Sequence, residues 1–408
     1  MMATGKTRIS GVPALDGIDW ALSHLHAIRC VLRFHGREVD WDDLMGMSGE
    51  AFCHYYHPDG TFLSQYVHSW DVANAALESC GMSGTWRCEP SDDVESVLEA
   101  MEGELSAGRP VIAPGITPSP DGVHSRCNHW FVVTGLDRAA RKVWLMGAGQ
   151  GEVETPLPEG DSPDPAAHPR WYGILRSFDG IEGHYGPLRS DNPLLLVDNL
   201  HVPRVREELL LGALTRAAEL SREESVVCRF GYGAGTYLAG QRAVRQLRDD
   251  LAAAQGDGIE DYQRLNPPKG DPFGGLGDEL EFLKLLSWRR RSASRFVLRR
   301  FGGLAGPAGR QAEVVAADYD RVADAAMAAF SLRYGSEKQH ARVARFIWDG
   351  RVDGDHEWDA YWHRADEALA SAATRGAMVK HLDRVLDHER KAVDGIHAIL
   401  TGLGLDAR

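Results

Sequence analysis

Residues Asn128 to Asp137, reading Asn-His-Trp-Phe-Val-Val-Thr-Gly-Leu-Asp, are the most restrictive stretch of this 408-residue chain. Aromatic and β-branched side chains crowd it, a Gly and an Asp close it, and the run therefore predicts a buried strand. At its head stands His129. Imidazole is the side chain whose unperturbed pKa lies nearest neutrality, so a histidine held at the end of a rigid strand suits general acid–base work. The competing reading is a half-buried histidine bonded to a carbonyl.

The elements around this strand divide the chain in two. Over residues 12–203 the pattern is mixed, with helices predicted over 20–35, 63–80 and 92–107, then strands over 109–113, 129–135, 142–146 and 194–197. The Pro-, Glu- and Gly-rich stretch 149–170 reads as a surface loop. From 204 to 408 apolar residues recur at helical spacing, which predicts helices over 206–219, 235–254, 276–301, 312–334 and 337–348. A last helical stretch with a break spans 358–403, and the Pro/Gly-rich stretch 266–277 is the loosest link. The fold class expected is α+β: an N-terminal domain with a central helix against an antiparallel sheet, then an all-α domain.

Composition narrows the function. Asp and Glu number 59 against 45 Lys and Arg, a net charge of -14, which argues against nucleic-acid binding because phosphate contacts need a basic face. No apolar run approaches the roughly 20 residues of a membrane helix, and Lys6 and Arg8 precede no apolar signal segment. A cytoplasmic address is the default expectation. Cys30, Cys53, Cys80, Cys88, Cys127 and Cys228 are scattered and read as thiols.

One helix deserves placement by residue. Over 20–35, with Asp19 as cap and Gly36 as stop, Leu22, Leu25, Ile28 and Leu32 share one side, and Ser23, Ala27, Cys30 and Phe34 the other. A helix apolar on two sides is central to its domain. Ser23 and Cys30 lie seven residues apart, about 10 Å along the axis, so only one of them can meet His129. A helix start favours a reactive thiol, which gives Ser23 the position and Cys30 the chemistry; a serine gains little from the helix field, and Cys30 reads more readily as a small buried hydrophobe. Cys127, two residues before His129, is a reserve thiol.

These two segments together resemble the papain-like superfamily, in particular bacteriocin-leader-type cysteine peptidases and the N-terminal domain of the butirosin-biosynthesis acyltransferase. The first match is Ser23 to Gly36, ending Phe34-His35-Gly36. The second is the run from His129 to Asp137. A third is Leu44-Met45-Gly46-Met47-Ser48-Gly49-Glu50-Ala51-Phe52, which is similar to the Gly-rich segment of the butirosin-type domain. Two departures stand out: Ser23 occupies the place of the nucleophilic Cys, and Gly147 the place of the Asp that orients the His. Asp198 is then the alternative source of that carboxylate.

The resemblance implies acyl transfer or amide hydrolysis, with a nucleophile on the first helix (Ser23 or Cys30), His129 as base and Asp198 orienting it. It also implies contact with a small-molecule or peptide acyl substrate by Trp20, Ser48, Gly49, Phe52, Asn128 and Trp130, and no cofactor. The alternative is a papain-like scaffold that has lost catalysis and serves as a ligand-binding or accessory subunit. Arg289, Arg290, Arg291, Arg295, Arg299 and Arg300 crowd one segment and suggest an acidic acyl-carrier protein as partner; against that, they could pair with the chain's own acidic surplus. Cys53, His54 and His57 with His24 and His26 carry zinc-ligand chemistry, but aromatic packing about Phe52, Tyr55 and Tyr56 explains that segment better, so no metal is expected. Gly147 to Gly151 lacks the context of a phosphate loop. Oligomeric state is not written in the sequence.

Overall fold

A computed structural model describes residues 6–14, 22–56, 67–68, 70–90, 94–117, 127–146, 151–157, 191–199, 206–227, 230–231, 236–253, 276–348 and 356–404. The strands are β1 (Thr7–Arg8), β2 (Tyr55–Tyr56), β3 (Val67–His68), β4 (Met82–Pro90), β5 (Val111–Thr117), β6 (Cys127–Asp137), β7 (Lys142–Met146), β8 (Glu152–Pro156), β9 (Asp191–Asn199), β10 (Ser225–Val227), β11 (Phe230–Gly231) and β12 (Thr236–Ala239). The helices are α1 (Ser23–Phe34), α2 (Trp41–Ser48), α3 (Val72–Ser79), α4 (Val94–Ser106), α5 (Arg206–Arg222) and α6 (Gly240–Ala253). They continue with α7 (Leu276–Phe301), α8 (Pro307–Tyr334), α9 (Glu337–Trp348), α10 (His356–Ala370) and α11 (Ala372–Gly402). The architecture is α+β with antiparallel sheets and a helical C-terminal region.

The chain forms two compact units. The first contains Met1–Asp40, Trp70–Arg204 and Arg229–Ala234; the second contains Trp41–Ser69, Val205–Cys228 and Gly235–Arg408. The segment Trp41–Ser69, read from sequence with the mixed half, thus clusters with the helices.

In the first unit an antiparallel sheet runs in the order β4-β9-β5-β6-β7-β8, and β1 also pairs with β6. Helix α4 lays Val97, Met101 and Leu105 on Val111, Phe131, Val133 and Val143 of the sheet. Helix α1 packs against β6. Leu25, Ile28 and Leu32 on one side of α1, and Ser23, Ala27 and Cys30 on the other, are all buried, so the helix is central to its unit. The β6–β7 register slips between Val133 and Gly135. Gly135 is needed there, because a Cβ would stand 2.9 Å from the Trp144 ring.

In the second unit α8 packs along α7 and α11, and α6 along α11. Gly395 lets α8 and α11 approach closely, since a Cβ would lie 2.4 Å from Cγ2 of Val315. A small antiparallel sheet, β10-β12-β2, completes the unit.

Adjacent arginines on α7 hold Trp41–Ser69 to the helices. Arg289 and Arg290 are 0% and 1% exposed. Arg289 donates to Glu50, with Nε at 2.9 Å. Arg290 donates to Glu389 of α11, to the Ala51 carbonyl at 2.6 Å, and lies 2.8 Å from His54 Nδ1. Further along α7, Arg300 Nε donates to Asp43 at 2.9 Å and Arg299 reaches Asp42 at 3.4 Å. Arg291 binds Asp324 at 2.8 Å, and Arg295, 61% exposed, lies 3.6 Å from Asp42. Five carboxylates of the chain, Glu50, Glu389, Asp324, Asp42 and Asp43, thus face these six arginines, so most of the cluster's charge is met from within.

Several expected elements differ. The helix expected over 63–80 begins only at Val72, where Asp71 caps it by accepting the Asn74 amide, and Val67–His68 is a strand. The helix expected over 235–254 is preceded by β12, and part of the expected surface loop is β8, paired with β7. The capping Asp19 and the stretch 266–275 lie outside the described residues.

Burial of the two ion pairs predicts that Glu50→Gln, which leaves the Arg289 charge uncompensated, destabilises the protein by about 3 kcal/mol or more in urea unfolding. Arg291→Ala, at a half-exposed pair, costs no more than about 1 kcal/mol. Burial, with Arg290 and Arg289 adding to it, holds the His54 pKa well below its ordinary value; burial also lowers those of His381 and His397. The unfolded chain takes up these protons as pH falls through about 6.5 while the folded protein does not. Stability is therefore complete above that pH and declines below it, and His54→Gln makes the decline shallower in unfolding measured from pH 7.5 to 5.

Candidate active site of the first unit

Helix α1 opens at Ser23, with Leu22 at the cap position making no side-chain capping bond. The helix dipole makes this end electropositive. Ser23 is fully buried, and its Oγ accepts the backbone N–H of Trp130 at 3.2 Å. The serine is thus tied to the peptide that joins His129 to Trp130. The structure brings together the two segments that sequence had singled out, the start of α1 and the start of β6.

His129 stands opposite Gly115 of β5 in the sheet, with Asn128 opposite Ile116 and Cys127 opposite Thr117. The side chains of these β6 residues, like Trp20, lie outside those described. Trp130 is buried, its ring 5.9 Å from that of His24.

The register removes Asp198 from this site. Val111 of β5 pairs with Val133 on one side and with Leu196 on the other. His129 lies beyond that line in one direction, opposite Gly115, and Asp198 lies beyond it in the other. Six residue positions at about 3.3 Å place them roughly 20 Å apart along the strands, with two strand spacings of about 4.8 Å between. Asp198 is exposed and belongs with His35 and Arg109 at the far end of the sheet. Burial lowers the pKa of His35, Asp198 opposing it. The expectation that Asp198 orients His129 is therefore corrected.

Cys30 does not take the nucleophile's place either. It sits two turns along α1, buried, with Sγ 3.0 Å from the carbonyl of Pro13. Its thiol is spent on that backbone group.

Ser48, Gly49 and Phe52, expected to touch substrate, are built into the second unit. Ser48 Oγ donates to the Met45 carbonyl at 3.1 Å and accepts the Glu50 amide at 3.2 Å. Gly49 takes a φ of 88° ahead of the 3-10 turn Glu50–Phe52. The Phe52 ring packs 6.1 Å from Phe296 and 6.0 Å from Tyr319. These are core-forming roles, not a substrate cleft. Cys53 and His54 are buried there as well, and burial pushes the Cys53 thiol up to about 12.

Sequence reasoning missed the support around Trp130. Trp86 of β4 lies 5.5 Å from it at 78°, and its Nε1 donates to Asp71 at 2.9 Å. The alternation of Trp86 within 82–90 was the available signal. Among the described residues no helix is long and apolar enough to cross a membrane. The chain matches no protein-family model and no curated protein sequence.

These environments predict thiol behaviour. With iodoacetamide at pH 8 and peptide mapping, Cys30 and Cys53 remain unmodified in the folded protein and react on unfolding, while Cys80, only partly buried, is modified first among the three. Rapid labelling of Cys30 in native protein would contradict its bond to Pro13.

Proposed function

We propose that the first unit is a papain-like domain that binds an acyl or peptide carbonyl compound where α1 meets β6, and that it does so without thiol catalysis. The observation that supports the reading is the Ser23 Oγ bond to the Trp130 amide: it joins a helix start to a His-bearing strand, the two segments on which the resemblance to the papain-like superfamily rests, with an oxygen where that superfamily has sulfur. Ser23 is walled in and its oxygen accepts a backbone amide, Cys30 is turned to Pro13, and Asp198 stands at the other end of the sheet. Such a protein would serve as a ligand-binding or accessory subunit, with His129 as a polar contact for the carbonyl compound. No cofactor is part of this reading.

The same bond favours a second reading, acyl transfer or amide hydrolysis by a hydroxyl. The Trp130 amide would steady negative charge growing on Oγ, while His129 accepts its proton and later returns it to the leaving group.

A fluorophosphonate probe and an S-acyl N-acetylcysteamine thioester separate the two. On the first reading the intact protein carries no adduct at Ser23, does not consume the thioester, and binds it saturably by tryptophan emission. Saturable binding weakens at least tenfold in His129→Ala. An adduct on Ser23 that vanishes in Ser23→Ala and His129→Gln establishes the second reading instead. Neither binding nor an adduct rejects both.

A further inference from the structure

The peptide that carries His129 is held through the residue that follows it. The Trp130 ring is flanked by His24 of α1 at 5.9 Å and by Trp86 of β4 at 5.5 Å. The Trp86 ring meets that of Trp130 at 78°, an edge-to-face arrangement that suits the aromatic quadrupoles. Trp86 is itself held, because Asp71 Oδ2 accepts its Nε1–H at 2.9 Å. A donor to an ionised carboxylate makes a strong, directional bond.

Asp71 is also fixed. Its Oδ1 accepts the Asn74 amide at 3.0 Å as the cap of α3, and its Oδ2 accepts Asn74 Nδ2 at 2.7 Å. Asn74 Oδ1 in turn accepts the Gly84 amide at 2.7 Å, two residues before Trp86 on β4. Gly84 leaves room for this: a Cβ there would stand 2.6 Å from Leu195 Cδ1 and 3.0 Å from Asn74 Oδ1. A helix cap, a strand amide and an indole N–H thus converge on one side-chain pair, Asp71 and Asn74.

We propose that Asp71 and Trp86 are positioning residues for His129, acting through Trp130: the clamp on the Trp130 ring and the Ser23 bond to its amide fix the peptide from which His129 projects. This rests on the reading that His129 meets ligand. Apolar packing alone would bury Trp130, but it would not assign the indole of its neighbour to a charged group that also caps a helix.

Carbethoxylation by diethyl pyrocarbonate tests this without a known ligand. The rate at His129 is followed by peptide mapping between pH 5.5 and 8, with exposed His363 as the internal reference. In the parent protein His129 is modified with a single titration midpoint. In Asp71→Asn, which leaves one oxygen for the three donors that Asp71 holds with two, and in Trp86→Phe, which keeps a ring but removes the N–H, the rate at His129 changes at least threefold or its midpoint moves. His363 is unaffected, and circular dichroism confirms a folded chain. A reactive His129 with the same rate and midpoint in both variants overturns the positioning role while leaving the ligand reading intact. A His129 inert in the parent protein overturns both.

Discussion

Two guanidinium groups without access to water determine how the second unit is put together. Consecutive residues on a helix project about 100° apart, so Arg289 and Arg290 reach to different neighbours, one to Glu50 and the other to Glu389, Ala51 and His54. Burying either charge alone is prohibitive, and the attraction repays it only when every donor finds an acceptor. Glu50 lies far from α7 in sequence, and supplying it requires the chain to send Trp41–Ser69 into the helical unit before it returns to build the sheet. The ion pairs act here more as a selector of arrangement than as a source of net stability, since a hydrophobic pair of the same shape would cost less to bury. The acidic residues Asp42 and Asp43, on the same segment, extend the match along α7 to Arg299 and Arg300.

In the first unit the comparable constraint is a single hydroxyl. Oxygen accepts an amide N–H at ordinary hydrogen-bond length, whereas thiol sulfur is a weak acceptor that gains strength mainly as thiolate. A cysteine at position 23 would therefore present the helix start with a group whose bond to the Trp130 amide improves on ionisation. Serine gives the same contact without ionising. Serine at position 23 thereby forms a neutral joint between α1 and β6.

Much of this was legible in the sequence where period and punctuation agree. The spans 142–146, 276–301 and 337–348 coincide with β7, α7 and α9, because alternation or helical spacing is bounded there by turn residues. The strand headed by His129 and the helix ending before Gly36 were equally readable. What was not readable depends on partners distant in the chain. The strand β4 holds a glycine and charged residues that blur its alternation, and pairing with β9 sets its place in the sheet. The placement of Asp198 depends on register across three strands, which no local pattern encodes. The arginines of α7 announced their charge but not their acceptors, and the glycine-rich segment announced a backbone requirement but not its cause.

That last case bears on what a motif resemblance carries. In a substrate cleft, glycines of such a segment would let backbone approach a ligand. In this protein Gly46 lets α2 approach Phe296, where a Cβ would stand 2.2 Å from the ring, and Gly49 adopts the positive φ that starts the next turn. The same spacing of glycines satisfies both demands, because each is a demand for close approach or left-handed backbone and neither specifies what lies opposite. Ser48 and Glu50 decide the matter: one closes the turn on itself, and the other is buried against Arg289, so the segment is spent on assembling a core. Resemblance in residues 44–52 therefore transfers a backbone shape, and the chemistry must be argued from what each side chain touches.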